Sequence, residues 1–275
     1  MDKHPSALIP LVLACALSCS IWEERQECPC LLSFQLQKDC GLPGSRSLDL
    51  CLYNETGNIL LKEEGLALDD LREVSRPGVE VPKGQIRAGG IIGQRTSRRG
   101  ANGEYITIPA GLPADSLYWL YGDTDASGET AVIPVRVRKE YSAIEIRFIL
   151  TEGPDAPAEC PYFLYLRSYT AGLDLRDGTP LPGRFHCLPE EGEAGVFRSI
   201  LPRQRTPEDL VLEVREKEGP HELLDEIALN AYLPEEFSWK DEDLLDILIR
   251  IDYAHARLEV SVGDWNVGDI YHYTI

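Results

Sequence analysis

The stretch Ala143-Ile-Glu-Ile-Arg-Phe-Ile-Leu150 alternates apolar and charged residues from Ile144 to Phe148. Because successive side chains of a β-strand point to opposite faces of a sheet, this period of two predicts a half-buried strand. Short strands separated by turns rich in Gly, Pro and Asp predict an all-β sandwich fold. Similar alternation occurs at residues 31–36, 48–53, 105–108, 132–138, 162–166, 210–214, 247–253 and 257–262.

Helical periodicity is weak, and residues 66–74 and 222–232 are predicted to hold at most a few short helical turns. Strands and helices do not alternate regularly along the sequence, so a parallel α/β sheet is not expected. The segment Gly153-Pro-Asp-Ala-Pro-Ala158 separates two strand-rich halves, and such small, turn-forming residues are typical of a linker. We therefore predict two β-sandwich domains, at residues 19–152 and 159–275, after a leader at residues 1–18.

The formal net charge of −19 limits the classes of partner. A chain this acidic repels phosphate backbones, so we expect no nucleic-acid partner. Anionic membrane surfaces would repel it as well, so attachment to a membrane would need a covalent or apolar anchor.

The N-terminus has the features of a secretory leader. A polar start containing Lys3 precedes the apolar residues 7–17, a run too short to cross a bilayer as a helix. The sequence Ala16-Leu-Ser-Cys19 resembles a bacterial lipobox, which predicts cleavage before Cys19 and lipidation of its sulfur. Two or more acyl chains would hold the protein at a membrane, where a single chain would not. Cys15 is a competing lipidation site, and a plain secretory signal with incidental cysteines is the other alternative.

Six cysteines follow Cys19, which is compatible with disulfides in an exported chain but allows 15 connectivities. We prefer the pair Cys160 and Cys187, because both lie in the second half and no other cysteine is found there. The motif Cys28-Pro-Cys30 lacks the second pair of ligands that a zinc or redox site needs, so no metal is expected.

No catalytic motif is present, so we expect neither an enzyme nor a cofactor. The cluster Tyr118-Trp-Leu-Tyr121 is predicted to be a strand with Tyr118 and Leu120 on one face and Trp119 and Tyr121 on the other. Its rings would pack in the core, or alternatively would stack on a sugar. Arg95-Thr-Ser-Arg-Arg-Gly100 is interpreted as an exposed, solvated basic loop.

Several short motifs, taken in order, resemble the fimbrial anchor-subunit family of Bacteroides-type bacteria. The sequence Cys19-Ser-Ile-Trp-Glu-Glu-Arg-Gln-Glu-Cys28-Pro is similar to the start of its mature chains and favours Cys19 over Cys15. The likeness spans nearly all of the mature chain. The other motifs are Leu173-Asp-Leu-Arg-Asp-Gly178-Thr-Pro, Leu201-Pro-Arg203, Leu245-Asp-Ile-Leu-Ile-Arg-Ile-Asp-Tyr253 and Val260-Ser-Val-Gly-Asp-Trp265-Asn.

The resemblance implies two transthyretin-like β-sandwiches and a role as the lipid-anchored base of a type V fimbria at the surface of the outer membrane. The implied partner is a fimbrial shaft subunit, joined by a strand added to an open sheet edge. We expect residues 258–275, including Asp264 and Trp265, to supply that edge or strand. Asp264 and Trp265 would otherwise form a plain strand end with a buried indole.

The alternative function is that of a surface glycan-binding lipoprotein of a polysaccharide-uptake system. Such proteins are also acidic, lipidated and rich in β-sandwich. The candidate stacking residues would then be Tyr118, Trp119, Tyr121 and Trp239.

Overall fold

The computed structural model describes residues 28–37, 42, 46–71, 78–100, 102–149, 160–193, 195–252, 257–264 and 269–274. These residues form strands joined by turns, with three short 3-10 helices at Leu68–Leu71, Pro207–Asp209 and Leu229–Tyr232. The strands are β1 (Cys30–Leu36), β2 (Ser47–Asn54), β3 (Ile59–Ala67), β4 (Val79–Val81), β5 (Gln85–Ile92), β6 (Arg98–Arg99), β7 (Tyr105–Thr107), β8 (Tyr118–Asp125), β9 (Thr130–Lys139), β10 (Tyr141–Phe148), β11 (Tyr162–Asp174), β12 (Pro180–Cys187), β13 (Glu190–Glu193), β14 (Val196–Pro202), β15 (Val211–Glu216), β16 (Leu223–Ala228), β17 (Asp246–Asp252), β18 (Arg257–Asp264) and β19 (Asp269–Thr274).

The first sheet has seven strands in the order β3-β2-β5-β8-β9-β1-β4. Its strands are antiparallel except for β1 and β9, which run parallel. In β2 the alternate residues Leu48, Leu50 and Leu52 are buried in the core of this half. The period-two pattern of the sequence therefore places a continuous leucine row against the interior.

Two further sheets contain the strands of the second half of the chain together with β6, β7 and β10. One has the order β13-β14-β10-β17-β18-β19, and the other has the order β16-β15-β11-β7-β6, with β12 paired to β11. Apolar residues of both sheets form one common core that includes Ile146, Leu166, Leu212 and Ile249. This arrangement of facing sheets around an apolar layer is that of a sandwich.

The predicted all-β class is confirmed, and the stretch that led to it forms β10. The short helical turns expected at residues 66–74 and 222–232 are present as one 3-10 helix in each stretch, at Leu68–Leu71 and Leu229–Tyr232. Residues 66–67 end β3, and most of the second stretch forms β16, while residues 72–74 lie outside the described part of the chain. The leucines, acidic residues and alanine of these stretches permit a helix, but cross-strand pairing overrides that weak preference. No helix of the described residues is long and apolar enough to span a membrane.

The sheets do not follow the predicted division between residues 152 and 159. The core of the first half contains residues between Cys30 and Val137, and the common core of the second contains residues from Ile144 onward together with the partly buried Ile108. Strand β10, which precedes the predicted linker, pairs with β14 and β17. Conversely, β7 from the first half pairs with β11. The boundary between the two cores lies near Glu140, which is the single residue between β9 and β10. No Gly/Pro-rich segment is found at this position. The transthyretin-like type of the two units stays a prediction.

Candidate functional site: an open sheet edge and the junction behind it

Seven strands pair with only one neighbouring strand among the described residues and therefore form sheet edges. Their exposed backbone groups are potential sites for the addition of another strand. Two of these edges, β4 and β6, are only three and two residues long, which limits the hydrogen bonds that they can offer. The other five edges are β3, β12, β13, β16 and β19.

Four of the five longer edges are irregular. The pairing register shifts within β3, β12, β13 and β16, each against its single partner. Shifts of this kind bend a strand and interrupt its row of hydrogen bonds, which is a common protection against unwanted pairing. The edge β13 is also short and carries three glutamates in four residues.

The edge strand β19 is the exception. It pairs with β18 without a register shift, from Glu259 opposite Thr274 to Asp264 opposite Asp269. Its sequence, Asp-Ile-Tyr-His-Tyr-Thr, contains no Lys, Arg or Pro and is rich in residues that favour strands. Among the described residues it is therefore the one long, regular edge that nothing in its sequence or pairing protects.

The hairpin of β18 and β19 is fixed to the core through β18. Val260 and Val262 are buried in the common core, and β18 pairs with β17 from Arg257 to Gly263. Asp264 is the last residue of β18, opposite Asp269 across the hairpin. Trp265 lies outside the described residues, so the proposed role of Asp264 and Trp265 stays a prediction.

A buried group of charges lies at the junction between the two cores. Glu140 and Arg203 are only 4% and 5% exposed, and Glu140 accepts hydrogen bonds from Arg203 Nε at 3.0 Å and from Arg138. Arg203 also donates to the backbone carbonyl oxygens of Trp239 and of Lys139. Burial raises the pKa of Glu140, while the two guanidinium groups act in the opposite direction. Glu140 and Arg203, which come from different halves of the chain, thus compensate each other's charge.

These contacts extend to the strand beside the C-terminal hairpin. Lys139 Nζ donates to Asp246 Oδ1 at 2.8 Å and to the backbone oxygen of Leu244 at 2.9 Å. The same carboxylate oxygen accepts the backbone N–H of Ala143 at 2.9 Å. Asp246 begins β17 and lies opposite Gly263 of β18, so the junction and the hairpin are separated by one strand.

A second contact between the halves is made by the turn after β11. Leu173 and Leu175 pack with Ile91 and Trp119 on the outer face of the first sheet. Trp119 Nε1 donates to the backbone oxygen of Leu175 at 2.9 Å. A side chain at Gly89 would meet that oxygen, because an added Cβ would lie 2.3 Å from it. The motif that begins at Leu173 thus joins the two halves by close backbone packing.

The predicted basic loop is an ordered part of the protein. The Asp115 carboxylate, which is 6% exposed, accepts backbone N–H groups from Arg95, Thr96 and Ser97 at 2.8–3.1 Å. Burial acts to raise the pKa of Asp115, but these hydrogen bonds outweigh it and lower the pKa. Arg99 is also tied down, 3.2 Å from Asp49. The sequence could not reveal this, because Asp115 lies in a separate turn.

The cysteines do not form the preferred disulfide in this structure. Cys160 and Cys187 are both buried free thiols, and burial raises the pKa of Cys187 to about 11. Cys187 lies opposite Leu166, and the extended residues from Tyr162 to Leu166 alone span about 13 Å. That distance is about twice the usual Cα separation in a disulfide, so this arrangement would have to change for the bond to form. The pairing itself stays a prediction. Cys15 and Cys19 lie outside the described residues.

The aromatic cluster at residues 118–121 contributes side chains to the hydrophobic cores. Trp119 and Trp239 are 5% and 6% exposed, so these two rings are not available to a sugar. Tyr121 stacks on Trp119 at a centroid distance of 4.4 Å, and the Tyr118 and Tyr141 hydroxyls are 3.1 Å apart. The predicted faces of this strand are correct, and the set of stacking residues is wrong, because two of its four rings are needed to fill the interior.

The described residues contain no group of three or more His, Cys, Asp or Glu side chains that could hold a metal ion. The residues that sequence reasoning missed are Glu140, Arg203, Lys139 and Asp246. The one signal was a charged residue inside a strand-like run, at Glu140 between Val137 and Ile144. A charge in such a place is buried only if distant partners compensate it.

No protein-family model and no curated protein matches this chain. Solved structures with the same fold include a proposed polysaccharide-binding protein of Bacteroides thetaiotaomicron (TM-score 0.62, 13% identity, 90% of this chain and 98% of that chain). A proposed adhesin of Bacteroides ovatus gives a TM-score of 0.60 at 12% identity, covering 92% of this chain and 97% of that one. The fimbrial anchor protein Mfa2 of Porphyromonas gingivalis gives 0.58 at 12% identity, covering 90% and 98%. At these identities, the likeness shows a shared fold.

Proposed function

We propose that this chain is the lipid-anchored base subunit of a fimbria, and that β19 is the edge at which a strand of the first shaft subunit is added. The observation that carries the proposal is the regular, unprotected edge of β19, beside four irregular and two very short edges. The shared fold with Mfa2, itself a fimbrial anchor protein, is consistent with this function.

Strand addition suits the chemistry of this edge. Alternate residues of a six-residue edge strand offer roughly six outward backbone hydrogen bonds, which an extended partner strand satisfies. The neighbouring strand β18 packs in the core through Val260 and Val262 and holds β19 in position. Little conformational entropy is therefore lost when a partner strand binds. Subunits joined in this head-to-tail manner form an open fibre, and the subunit at its end must be attached to the membrane.

The edge can be tested with proline substitutions at two successive positions of the full-length protein. Residues of an antiparallel strand direct their N–H groups alternately to the two sides, so either Tyr271 or His272 donates toward β18 and the other toward the open edge. Proline removes the donor at its position. The variant that keeps the melting temperature of the wild type is the one that has lost the outward donor. We expect cells that express it to shed their fimbriae into the medium.

The matched control is Glu190→Pro, on the opposite edge β13 of the same sheet, which should leave fimbriae attached. Retention of fimbriae by both Tyr271→Pro and His272→Pro, at wild-type protein levels, would exclude β19 as the contact. Shedding by Glu190→Pro as well would show that the loss is not specific to that edge.

The membrane attachment is proposed to be a lipid on Cys19. We expect Cys19→Ala to move the protein from the outer-membrane fraction to the soluble fraction, because a chain with a formal charge of −19 has no other evident affinity for an anionic surface. Cys15→Ala is the control and should leave the protein in the membrane. Mass spectrometry of the mature N-terminus identifies the acylated residue directly. An unmodified N-terminus beyond Cys19 would contradict the anchor and point to a released subunit.

A further inference from the structure

The outer face of the third sheet carries a groove that the proposed anchor function does not use. It has a volume of about 410 Å³ and lies over β11 and β12, beside the 3-10 helix Pro207–Asp209. This size is within the range of small-ligand sites. The side chains that line it include Tyr169, Arg184, His186 and Asp209.

Tyr169 provides an exposed aromatic surface on β11, at the register shift between Ser168 and Thr170. Its side chain is 48% exposed, whereas the adjacent Ser168 and Thr170 are buried. No aromatic ring or guanidinium group of the described residues is stacked on Tyr169, unlike Tyr165, which has Arg215 at 5.6 Å. The face of the ring is therefore open to a ligand.

Two charged side chains in the same groove lack ion-pair partners among the described residues. Arg184 and Asp209 are both exposed, and neither forms a salt bridge, although both line the groove. Arg167, by contrast, is paired with Glu213 at 2.7 Å and Glu226 at 3.1 Å. The groove thus presents one uncommitted hydrogen-bond donor group and one uncommitted acceptor group beside an open ring.

We propose that this groove binds a hexose unit of a neutral polysaccharide, with the sugar ring stacked on Tyr169. A sugar has an apolar face of C–H groups that packs on an aromatic ring, and its hydroxyl groups both donate and accept hydrogen bonds. Arg184 donates to ring-substituent oxygens, and Asp209 accepts from hydroxyl groups. The opposite charges of Arg184 and Asp209 offset each other, so the groove has no preference for a charged sugar and suits a neutral one. The inference stands independently of the anchor function.

The test is affinity electrophoresis of the protein in native gels that contain dextran, mannan, a β-glucan, galactan or polygalacturonate. We expect at least one neutral polysaccharide to retard the wild type. Tyr169→Ala should weaken this binding about tenfold, which corresponds to about 1.4 kcal/mol, and Tyr169→Phe should retain it because the ring remains. The control is Tyr105→Ala, which removes another exposed tyrosine from the same sheet outside the groove.

Circular dichroism melting of each variant verifies that it is folded. Absence of retardation by all four neutral polysaccharides would overturn the proposal. So would retardation by polygalacturonate alone, or equal retardation of the wild type and a folded Tyr169→Ala. A loss with Tyr105→Ala equal to that with Tyr169→Ala would place the binding elsewhere and would also overturn it.

Discussion

Polar groups at the junction around Glu140 are paired within the protein, whereas those on the outer side of the edge strand β19 are not paired with another strand of the described residues. At the junction, buried charges from distant segments satisfy one another, and Arg203 alone makes three hydrogen bonds through its guanidinium group. At β19, the outer backbone groups meet no other strand of the described residues. The difference teaches that stability and partner binding depend on separate parts of this molecule, so substitutions should affect one without the other.

The largest loss of stability is expected for Arg203→Met. This change leaves the Glu140 carboxylate buried with one cation fewer, and it leaves two backbone oxygens without a donor. Breaking one side of a buried ion pair costs about 3–5 kcal/mol, measured as the free energy of unfolding in urea. Arg250→Met is the control: Arg250 and Glu259 are 40% and 27% exposed in their ion pair, and solvent-exposed pairs contribute at most about 1 kcal/mol. Equal losses for the two variants would refute the special role of the junction.

A smaller loss is expected for Gly89→Ala, at the other contact between the halves. The added Cβ would lie 2.3 Å from the backbone oxygen of Leu175, so the turn after β11 must move away from the first sheet. Overpacking of this kind costs about 1–3 kcal/mol by thermal or urea denaturation. Gly192→Ala is the control: its added Cβ would meet only the flexible end of the Arg198 side chain, which can move aside, so stability should change little. An unchanged Gly89→Ala would mean that this contact is loose.

The third effect depends on pH. The pKa of Asp115 is lowered in the folded protein, so its stabilising contribution is present above the unfolded pKa of about 3.9 and is lost as the pH falls through the folded value. We expect Asp115→Asn to lose about 1.5 kcal/mol at pH 7, because a neutral amide accepts the three N–H groups less strongly. The difference from the wild type should shrink below about pH 4. A difference that stays constant down to pH 3 would contradict the charged form of Asp115.

The smallest change in stability is expected at the open edge. Proline at whichever of residues 271 and 272 directs its N–H outward removes no internal hydrogen bond, so the free energy of unfolding should change by about 0.5 kcal/mol or less. Proline at the other of these two positions should lower the free energy of unfolding by more, because it removes a hydrogen bond to β18. If both variants lost several kcal/mol, β19 would be covered on its outer side, and the comparison with the junction would no longer hold.

Many individual strands could be predicted from the sequence, but the way in which they group into sheets could not. The alternation at residues 143–150 and 247–253 identified two strands, yet nothing in either stretch showed that they pair in parallel. The Gly/Pro-rich segment at residues 153–158 suggested a boundary between domains, whereas the cores change near Glu140. The local composition of a segment indicates where the chain turns, but it does not indicate which strands pair in the same sheet.

The candidate site shows the same limit. The expectation that residues 258–275 supply a sheet edge is consistent with the hairpin of β18 and β19, although its role in binding stays a prediction. The aromatic residues were assigned to the correct faces, but the buried Trp119 and Trp239 could not be distinguished from exposed rings such as Tyr169. Burial depends on which segment covers a face, and the segment that covers Trp119 is more than 50 residues away in the chain.

The sequence by itself determined the all-β class and the faces of most strands, because the alternation of side chains along a strand is a local property of the backbone. Only the tertiary structure decided the order of strands, the pairing of charges at Glu140 and which edge remained open. Backbone N–H and C=O groups are the same in every strand, so an edge is defined by the absence of a neighbour, and that depends on how all the strands pack together.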